Sequence, residues 1–240
     1  MTMKKLFALL IMLAAFCGLK AAEGRPHVLK VGNFTALEVI NDLNVACRFN
    51  PDSAGMVRFV CPEEIVDAVL FEIRGNKLKV MISPDFIDKT EDLPSITVYA
   101  DMLESVRSES ARRVLVDSPA KCPSFKAILV GNGKLDIRNL NTPRFIGTLG
   151  TGSGALTVNG TGGDTLLKLV GAGAILSHEL ESTKVTCHLL GGGKILCNPI
   201  DELVIKGMGS TKVYYRKKPG KIKNHGLASA PMPIDSTTDQ

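Results

Sequence analysis

The sequence predicts an all-β solenoid, a stack of coils in which each coil adds strands to sheets shared with its neighbours. A G-x-G motif followed by an alternating apolar stretch occurs five times between residues 125 and 215. The first glycines of successive motifs are 21, 19, 20 and 16 residues apart, and no helical periodicity follows any motif. A period near 20 residues is typical of stacked coils that are not stable singly.

The glycines of this repeat are expected at tight corners where successive coils approach closely, because glycine adopts positive φ and has no Cβ. A phosphate-binding loop is the rival interpretation, but the P-loop lysine and hydroxyl are missing. Calcium-binding repeats need an aspartate recurring beside the glycines, and Asp136 is alone. The predicted structural corners are Gly131, Gly133, Gly152, Gly154, Gly171, Gly173, Gly191, Gly193, Gly207 and Gly209.

The residues after each corner alternate in character, which indicates strands with one buried face. We expect the fourth residue after each first glycine to point inward and to stack on its counterparts, while the next residue points outward. These inward residues are Leu135, Leu156, Ile175, Ile195 and Thr211.

The front half is also strand-like, and two hairpins are expected there. The turn at residues 50–55 should join a strand at 43–49 to one at 57–61, and Gly75-Asn76 should join its own two flanking strands. Ser108-Glu109-Ser110 stands where a first glycine corner would be. With no linker between the halves, residues 28–216 are predicted to form one domain, followed by a basic stretch and a disordered tail over residues 217–240.

The N-terminus has the pattern of a secretory signal peptide over residues 1–22. Two lysines precede an apolar run at residues 6–16, and small residues follow at Ala21 and Ala22. The run is shorter than the roughly 20 residues of a membrane-spanning helix, and no later segment is long and apolar enough to be one. We therefore expect an exported protein, located in the periplasm, at the cell surface or outside the cell.

Removal of the signal peptide would leave 26 basic and 24 acidic residues, so the mature chain is nearly neutral. Its basic surplus lies in residues 212–223. A nucleic-acid patch and protection of a sheet edge are the two interpretations of that stretch. An exported chain rarely meets nucleic acid, so nucleic acid is not an expected partner.

The cysteines allow more than one interpretation: lipidation, disulfide bonds or free buried thiols. Cys17 would be acylated in a lipoprotein, although Phe16 before it is bulkier than that processing normally accepts. Five cysteines remain after signal removal, an odd number, and without a CxxC pair they give little support for zinc. Export permits disulfides, but buried free thiols are the alternative. The candidate pairs are Cys47 with Cys61 and Cys187 with Cys197.

Several segments in a fixed order resemble a known family. They are residues 34–39, 61–65, 69–80 and 96–106, followed by the G-x-G series. This order resembles the head domain of auto-transporter adhesins, also called the GIN domain, of exported Gram-negative bacterial proteins, over roughly residues 30–215. The resemblance implies a right-handed β-helix-like fold at the cell envelope and an adhesive or ligand-binding role. It carries over no catalytic residue.

The sequence therefore favours a non-catalytic binding or adhesion module that presents a solenoid face to a glycan or protein partner. No catalytic, metal or cofactor-binding residue is predicted, and no cofactor is expected. Exposed polar residues of the strands after the corners should line one side of the solenoid. They are Asp136, Arg138, Thr157, Asn159, Glu179, Glu181, Lys194 and Asn198.

Two alternatives stay open. A polysaccharide-active enzyme could pair carboxylates, the candidates being Glu179 with Glu181 and Asp201 with Glu202, or could use His178 and His188 at a metal. Against it, the chain has no Trp and only three Tyr to bind sugar rings. The second alternative is a structural subunit, a homo-oligomer included, that assembles through a solenoid edge near Tyr214 and Tyr215.

Overall fold

The computed structural model describes residues 24–87, 93–227 and 230–235. The predicted signal peptide and Cys17 lie outside the described residues. Short 3-10 helices occur at Pro51–Ser53, Glu63–Ala68 and Pro84–Phe86. The strands are β1 (Arg25–Lys30), β2 (Ala36–Val39), β3 (Val45–Phe49), β4 (Met56–Cys61), β5 (Val69–Arg74), β6 (Lys77–Ile82), β7 (Ile96–Ala100), β8 (Ser105–Ser108), β9 (Arg113–Asp117), β10 (Phe125–Leu129), β11 (Lys134–Leu149), β12 (Ala155–Leu169), β13 (Ala174–Leu189), β14 (Lys194–Gly207), β15 (Lys212–Tyr215), β16 (Lys221–Asn224) and β17 (Met232–Pro233).

The predicted all-β solenoid is confirmed, because β10 to β15 pair in parallel and in sequence order. Each of the long strands β11 to β14 leaves one glycine corner, bends midway, and arrives at the next corner. We call the midway turn the far bend; it includes residues 159–163 of β12 and 179–183 of β13. We call the part before a corner the pre-glycine strand and the part after it the post-glycine strand. Each coil thus contributes to two parallel sheets that face each other across the core.

The interior is filled by stacked aliphatic side chains, as predicted for four of the five coils. Leu135 pairs with Leu156, Leu156 with Ile175, and Ile175 with Ile195, and all four are fully buried. Burial of such a side chain stabilises the fold by about 1.5–3 kcal/mol. The continuous row explains why neighbouring coils depend on each other.

The prediction for the fifth coil is wrong by two residues. Val213, not Thr211, pairs with Ile195. The amide and the hydroxyl of Thr211 both donate to the Gly191 carbonyl, at 3.2 and 2.8 Å. The register of β14 on β13 shifts at the far bend, so the glycine stacked on Gly191 comes later in the chain than the 16-residue spacing indicates.

The front half stacks out of sequence order. Strand β2 lies between β6 and β8, and β3 lies between β7 and β9, all in parallel. The coil that is first in the chain is therefore inserted below the one that begins at β6. From β8 onward the coils follow the order of the sequence.

Antiparallel strands close this end of the stack. The predicted hairpin at Gly75-Asn76 is confirmed, since β5 pairs antiparallel with β6. The predicted hairpin of β3 with β4 is wrong because β7 lies between them, with Val98 paired to Cys47 on one side and to Val57 on the other. The turn at residues 50–55 instead hydrogen-bonds to β7 through Asn50 and Gly55. Strand β1 then pairs antiparallel with β4.

The solenoid continues beyond the domain boundary expected at residue 216. Strand β16 pairs in parallel with residues 202–205 of β14, and β17 pairs with the end of β15. The basic stretch over residues 212–223 is therefore part of the last coil. The tail expected to be disordered after that stretch nevertheless contributes Met232 and Pro233 to strand β17.

Candidate functional site

The outward side chains of the pre-glycine strands form regular columns, with one residue from each coil. Neighbouring members are separated by the strand spacing of about 4.8 Å. The first column, nearest the far bend, alternates in charge and is called the charge column. The third, nearest the glycine corner, is called the basic column. The charge column is Arg144, Asp164, Lys184, Glu202 and Lys221, the middle column is Ile146, Leu166, Thr186, Val204 and Lys223, and the basic column includes Lys168, His188 and Lys206.

Ion pairs link the side chains in the lower part of this face, by which we mean the coils nearer the C-terminus. The Glu202 carboxylate lies 3.0 Å from Lys184 Nζ and also bonds Lys223 Nζ. Hydrogen bonds from Lys223 and Lys184 lower the pKa of Glu202 to about 2. Glu202 is therefore ionised at ordinary pH, which removes it as a general acid.

A shallow depression of about 360 Å³ lies on the upper part of this face. It offers two cationic groups, a carboxylate, a hydroxyl and an imidazole within one area, which suits a polar partner that both donates and accepts hydrogen bonds. Its lining residues are Arg144, Asp164, Thr165, Leu166, Lys184, Thr186 and His188. Partial burial, followed by the nearby Lys206 and Lys168, lowers the pKa of His188, which favours the neutral imidazole at neutral pH.

The glycines stack in two columns at the corner. The first is Gly131, Gly152, Gly171, Gly191 and Gly209, and the second is Gly133, Gly154, Gly173 and Gly193. A Cβ on Gly154 would lie 2.6 Å from the Gly133 carbonyl oxygen. Those carbonyls accept hydrogen bonds from the next coil, for example from Ala155 at 3.0 Å. Because glycine has no side chain, the backbones of adjacent coils come close enough here to form hydrogen bonds.

Two corner residues depart from the glycine repeat that the sequence predicts. Gly207 stacks on Leu189, two positions before the first glycine column. Ser110 takes the corresponding place in the coil before Gly133. Its hydroxyl donates to the Leu43 carbonyl at 2.9 Å while accepting from the Leu43 and Arg112 amides. A side chain therefore fixes the corner that has no glycine.

The five cysteines of the described residues are free and buried. Cys47 and Cys61 cannot be bridged, because Cys47 is level with Val57 and Cys61 lies four residues, about 13 Å, further along β4. Burial raises the pKa of Cys47 to about 12. Cys187 and Cys197 do meet inside the core, where the hydrogen bond between their thiols, then burial, holds the pKa of Cys197 well above its usual value.

The exposed polar residues predicted to share one side do not form a single array. Asp136 and Thr157 share an outward column, but Leu176 continues it. Glu179 and Glu181 lie at the far bend, where the registers shift, and Asn198 is only 7% exposed. The expectation fails because the strand face changes direction at that bend.

Sequence reasoning missed the pre-glycine face. Its signal was present: Lys168, His188 and Lys206 each stand three residues before the first glycine of a corner, once the last corner is taken as Gly209. The 16-residue spacing to Gly207 concealed this repeat.

The two histidines weighed as metal ligands lie apart. His178 is in the post-glycine part of β13 and His188 in the pre-glycine part. Within residues 24–87, 93–227 and 230–235, no group of three side chains is placed to hold a metal ion. Nor does any helix in those ranges have the length and apolar character to cross a membrane.

Solved structures share this fold. A putative adhesin from Bacteroides fragilis is 19% identical with a TM-score of 0.77, covering 89% of this chain and 98% of that one. A putative lipid binding protein from Parabacteroides distasonis is 15% identical with a TM-score of 0.68, covering 90% and 98%. A putative adhesin from Parabacteroides merdae is 14% identical with a TM-score of 0.63, also covering 90% and 98%.

No curated protein matches the chain in sequence. The sequence model of one family matches residues 33–219, which is most of the chain and nearly the range over which the segment order resembles that family. The chain therefore belongs to the family described as "Putative auto-transporter adhesin, head GIN domain".

Proposed function

We propose that this chain is an exported, non-catalytic adhesion module whose pre-glycine face binds a glycan or protein partner. The observation that carries the proposal is the depression of about 360 Å³ beside the charge column, where Arg144, Lys184 and Asp164 meet the Thr186 hydroxyl. Family membership supports an adhesion-type role. The parallel sheet supports it further, since a rigid scaffold presents side chains at fixed spacing.

The chemistry of the depression fits reversible binding. Arg144 is exposed and can form two parallel hydrogen bonds to a carboxylate or sulfate of a partner. Thr186 supplies a hydroxyl that donates and accepts, as sugar hydroxyls require. The lining includes no Phe, Tyr or Trp, so recognition rests on hydrogen bonds and charge.

A glycan array probed with the purified protein tests this proposal. The expected result is binding to a restricted set of glycans, weakened about tenfold by Arg144→Gln because a hydrogen bond to a charged group is lost. Arg138→Gln, which removes an exposed arginine elsewhere on the solenoid, is the matched control and should leave binding unchanged. Equal binding by wild type and Arg144→Gln would contradict this face as the site.

The enzyme alternative is tested by incubating the glycans that bind with the protein and measuring the length of the glycan chains. We expect no shortening. Turnover that Glu179→Gln or Asp201→Asn abolishes would overturn the non-catalytic assignment. Assembly through a solenoid edge, the remaining alternative, predicts a dimer or larger species by light scattering.

A further inference from the structure

An exposed apolar column runs along the glycine corner, next to the basic column. We call it the apolar ridge; it consists of Val170, Leu190, Met208 and Leu227, which are 41%, 62%, 58% and 88% exposed. The amides of the last three donate to the preceding coil, so their side chains stack in successive coils. Single exposed apolar residues are ordinary, but a contiguous row of them marks an interaction surface.

The four chain segments that form the corner around the apolar ridge contain basic residues and no acid. Residues 165–176, 185–196, 203–214 and 222–227, which form the corner in four coils, include no Asp or Glu. On one side are Lys168 and Lys206, and no ion pair is found for either within the part of the chain that the structure describes. On the other side, past the glycines, Lys194 and Lys212 begin the post-glycine strands.

The space between the apolar ridge and the basic column is also apolar with basic side chains at its edge. A shallow depression of about 290 Å³ there is mostly apolar and is rimmed by Lys168, His188 and Lys206. The ridge beside it stands at a turn of the chain, so it projects outward. A projecting apolar edge with cations beside it fits an interface whose outer layer is anionic and whose next layer is apolar.

We propose that the apolar ridge and its flanking lysines dock the protein on the surface of an anionic phospholipid bilayer. Leu190 and Met208 insert at the level of the headgroups, while Lys168 and Lys206 bond phosphates. The acidic residues Glu179 and Asp201 lie at the far bend, away from the corner, so an anionic surface also orients the molecule with the corner toward it. This surface adjoins the depression beside the charge column and shares only His188 with it. The proposal does not depend on glycan binding.

Co-sedimentation with lipid vesicles tests the docking. The protein should sediment with vesicles of phosphatidylglycerol and phosphatidylcholine but not with phosphatidylcholine alone, and added salt should release it. The double variant Lys168→Gln, Lys206→Gln should bind about 30-fold more weakly, since each lysine near an anionic surface contributes about fivefold. Lys121→Gln with Arg138→Gln removes two exposed cations outside the corner and should change nothing.

The apolar part is tested by Leu190→Ser with Met208→Ser, which should reduce vesicle binding at least about tenfold. Val60→Ser with Ile200→Ser is the matched control, because these residues are 58% and 49% exposed outside the ridge. Absence of binding to anionic vesicles, or equal loss in both double variants, would overturn the proposal. A dimer in light scattering that only Leu190→Ser with Met208→Ser dissociates would assign the ridge to a second copy and overturn it as well.

Discussion

The two turns of the solenoid are built in opposite ways. At the glycine corner the coils stack without side chains between them, and the carbonyls of one coil accept amides of the next, as from Ala172 to Gly152 at 2.9 Å. At the far bend the registers shift between coils, and side chains make the bonds, as where Asn159 Oδ1 accepts the Asn139 amide at 2.7 Å. The corner therefore sets the stacking distance, and the bend absorbs differences in coil length.

The difference extends to the surface. The corner exposes lysines and apolar side chains, whereas the bend exposes acids such as Glu179 and Glu181. A turn that must be tight leaves little freedom in its backbone residues, but the position just before the glycines is open to solvent and can take any side chain. Val170, Leu190 and Met208 of the apolar ridge occupy that position.

The largest expected effect comes from adding a side chain at the corner. Gly173→Val should destabilise the protein by about 4 kcal/mol or prevent folding, because its Cβ would overlap the Gly154 carbonyl and lie 2.9 Å from the Leu149 side chain. Urea unfolding measures the free energy. Gly150→Ala is the control, since its Cβ would meet the Val130 side chain at 3.3 Å and should cost under about 1 kcal/mol. Equal losses in both would contradict the corner's role.

Removing an interior side chain should cost about 3 kcal/mol. Leu156→Ala leaves a cavity between Leu135 and Ile175 in the stacked row, and large-to-small changes in such cores cost about 2–5 kcal/mol. Thr157→Ala, the outward neighbour, should change the unfolding free energy by less than about 0.5 kcal/mol. A smaller loss in Leu156→Ala than in Thr157→Ala would contradict the assignment of faces.

A bond between Cys187 and Cys197 would link the strands on either side of a glycine corner. We expect refolding with oxidised glutathione to convert the two thiols to a disulfide, the glutathione disulfide being reduced to two thiols, and to stabilise the protein by about 2 kcal/mol. Mass spectrometry of peptides locates the bond, and Cys187→Ser removes it. A Cys47–Cys61 bond in its place would contradict the register of β4 on β7.

The smallest effect is expected from the ion pairs of Glu202. Its pKa is lowered to about 2 when folded, so its stabilising contribution is complete above the unfolded value near 4.5 and is lost as pH falls toward 2. Wild type should therefore lose more stability than Glu202→Gln between pH 6 and pH 2.5, and salt should narrow the gap. Asp201→Asn is the control and should follow wild type.

The sequence predicts the features that repeat at short range and misses those that depend on distant pairing. The row from Leu135 to Ile195 follows from alternation after each glycine, so four coils were predictable. The insertion of β2 between β6 and β8 was not, because parallel pairing of strands far apart in the chain leaves no local pattern.

The candidate site was less predictable for a related reason. Its columns become regular only when the register at Gly209 is known, and the sequence offers Gly207 as an equally good corner. Outward residues also vary freely, since solubility is satisfied by many side chains. The chemistry of the pre-glycine face and the apolar ridge therefore emerges from the stacking and not from the motif.

Amide hydrogen exchange of the whole protein, with and without vesicles containing phosphatidylglycerol, tests most directly whether the two turns divide their roles. Added protection should appear at residues 168–172, 188–192 and 206–210 of the glycine corner, with residues 159–163 and 179–183 of the far bend unchanged. Protection centred on the far bend, or none at the corner, would contradict the account.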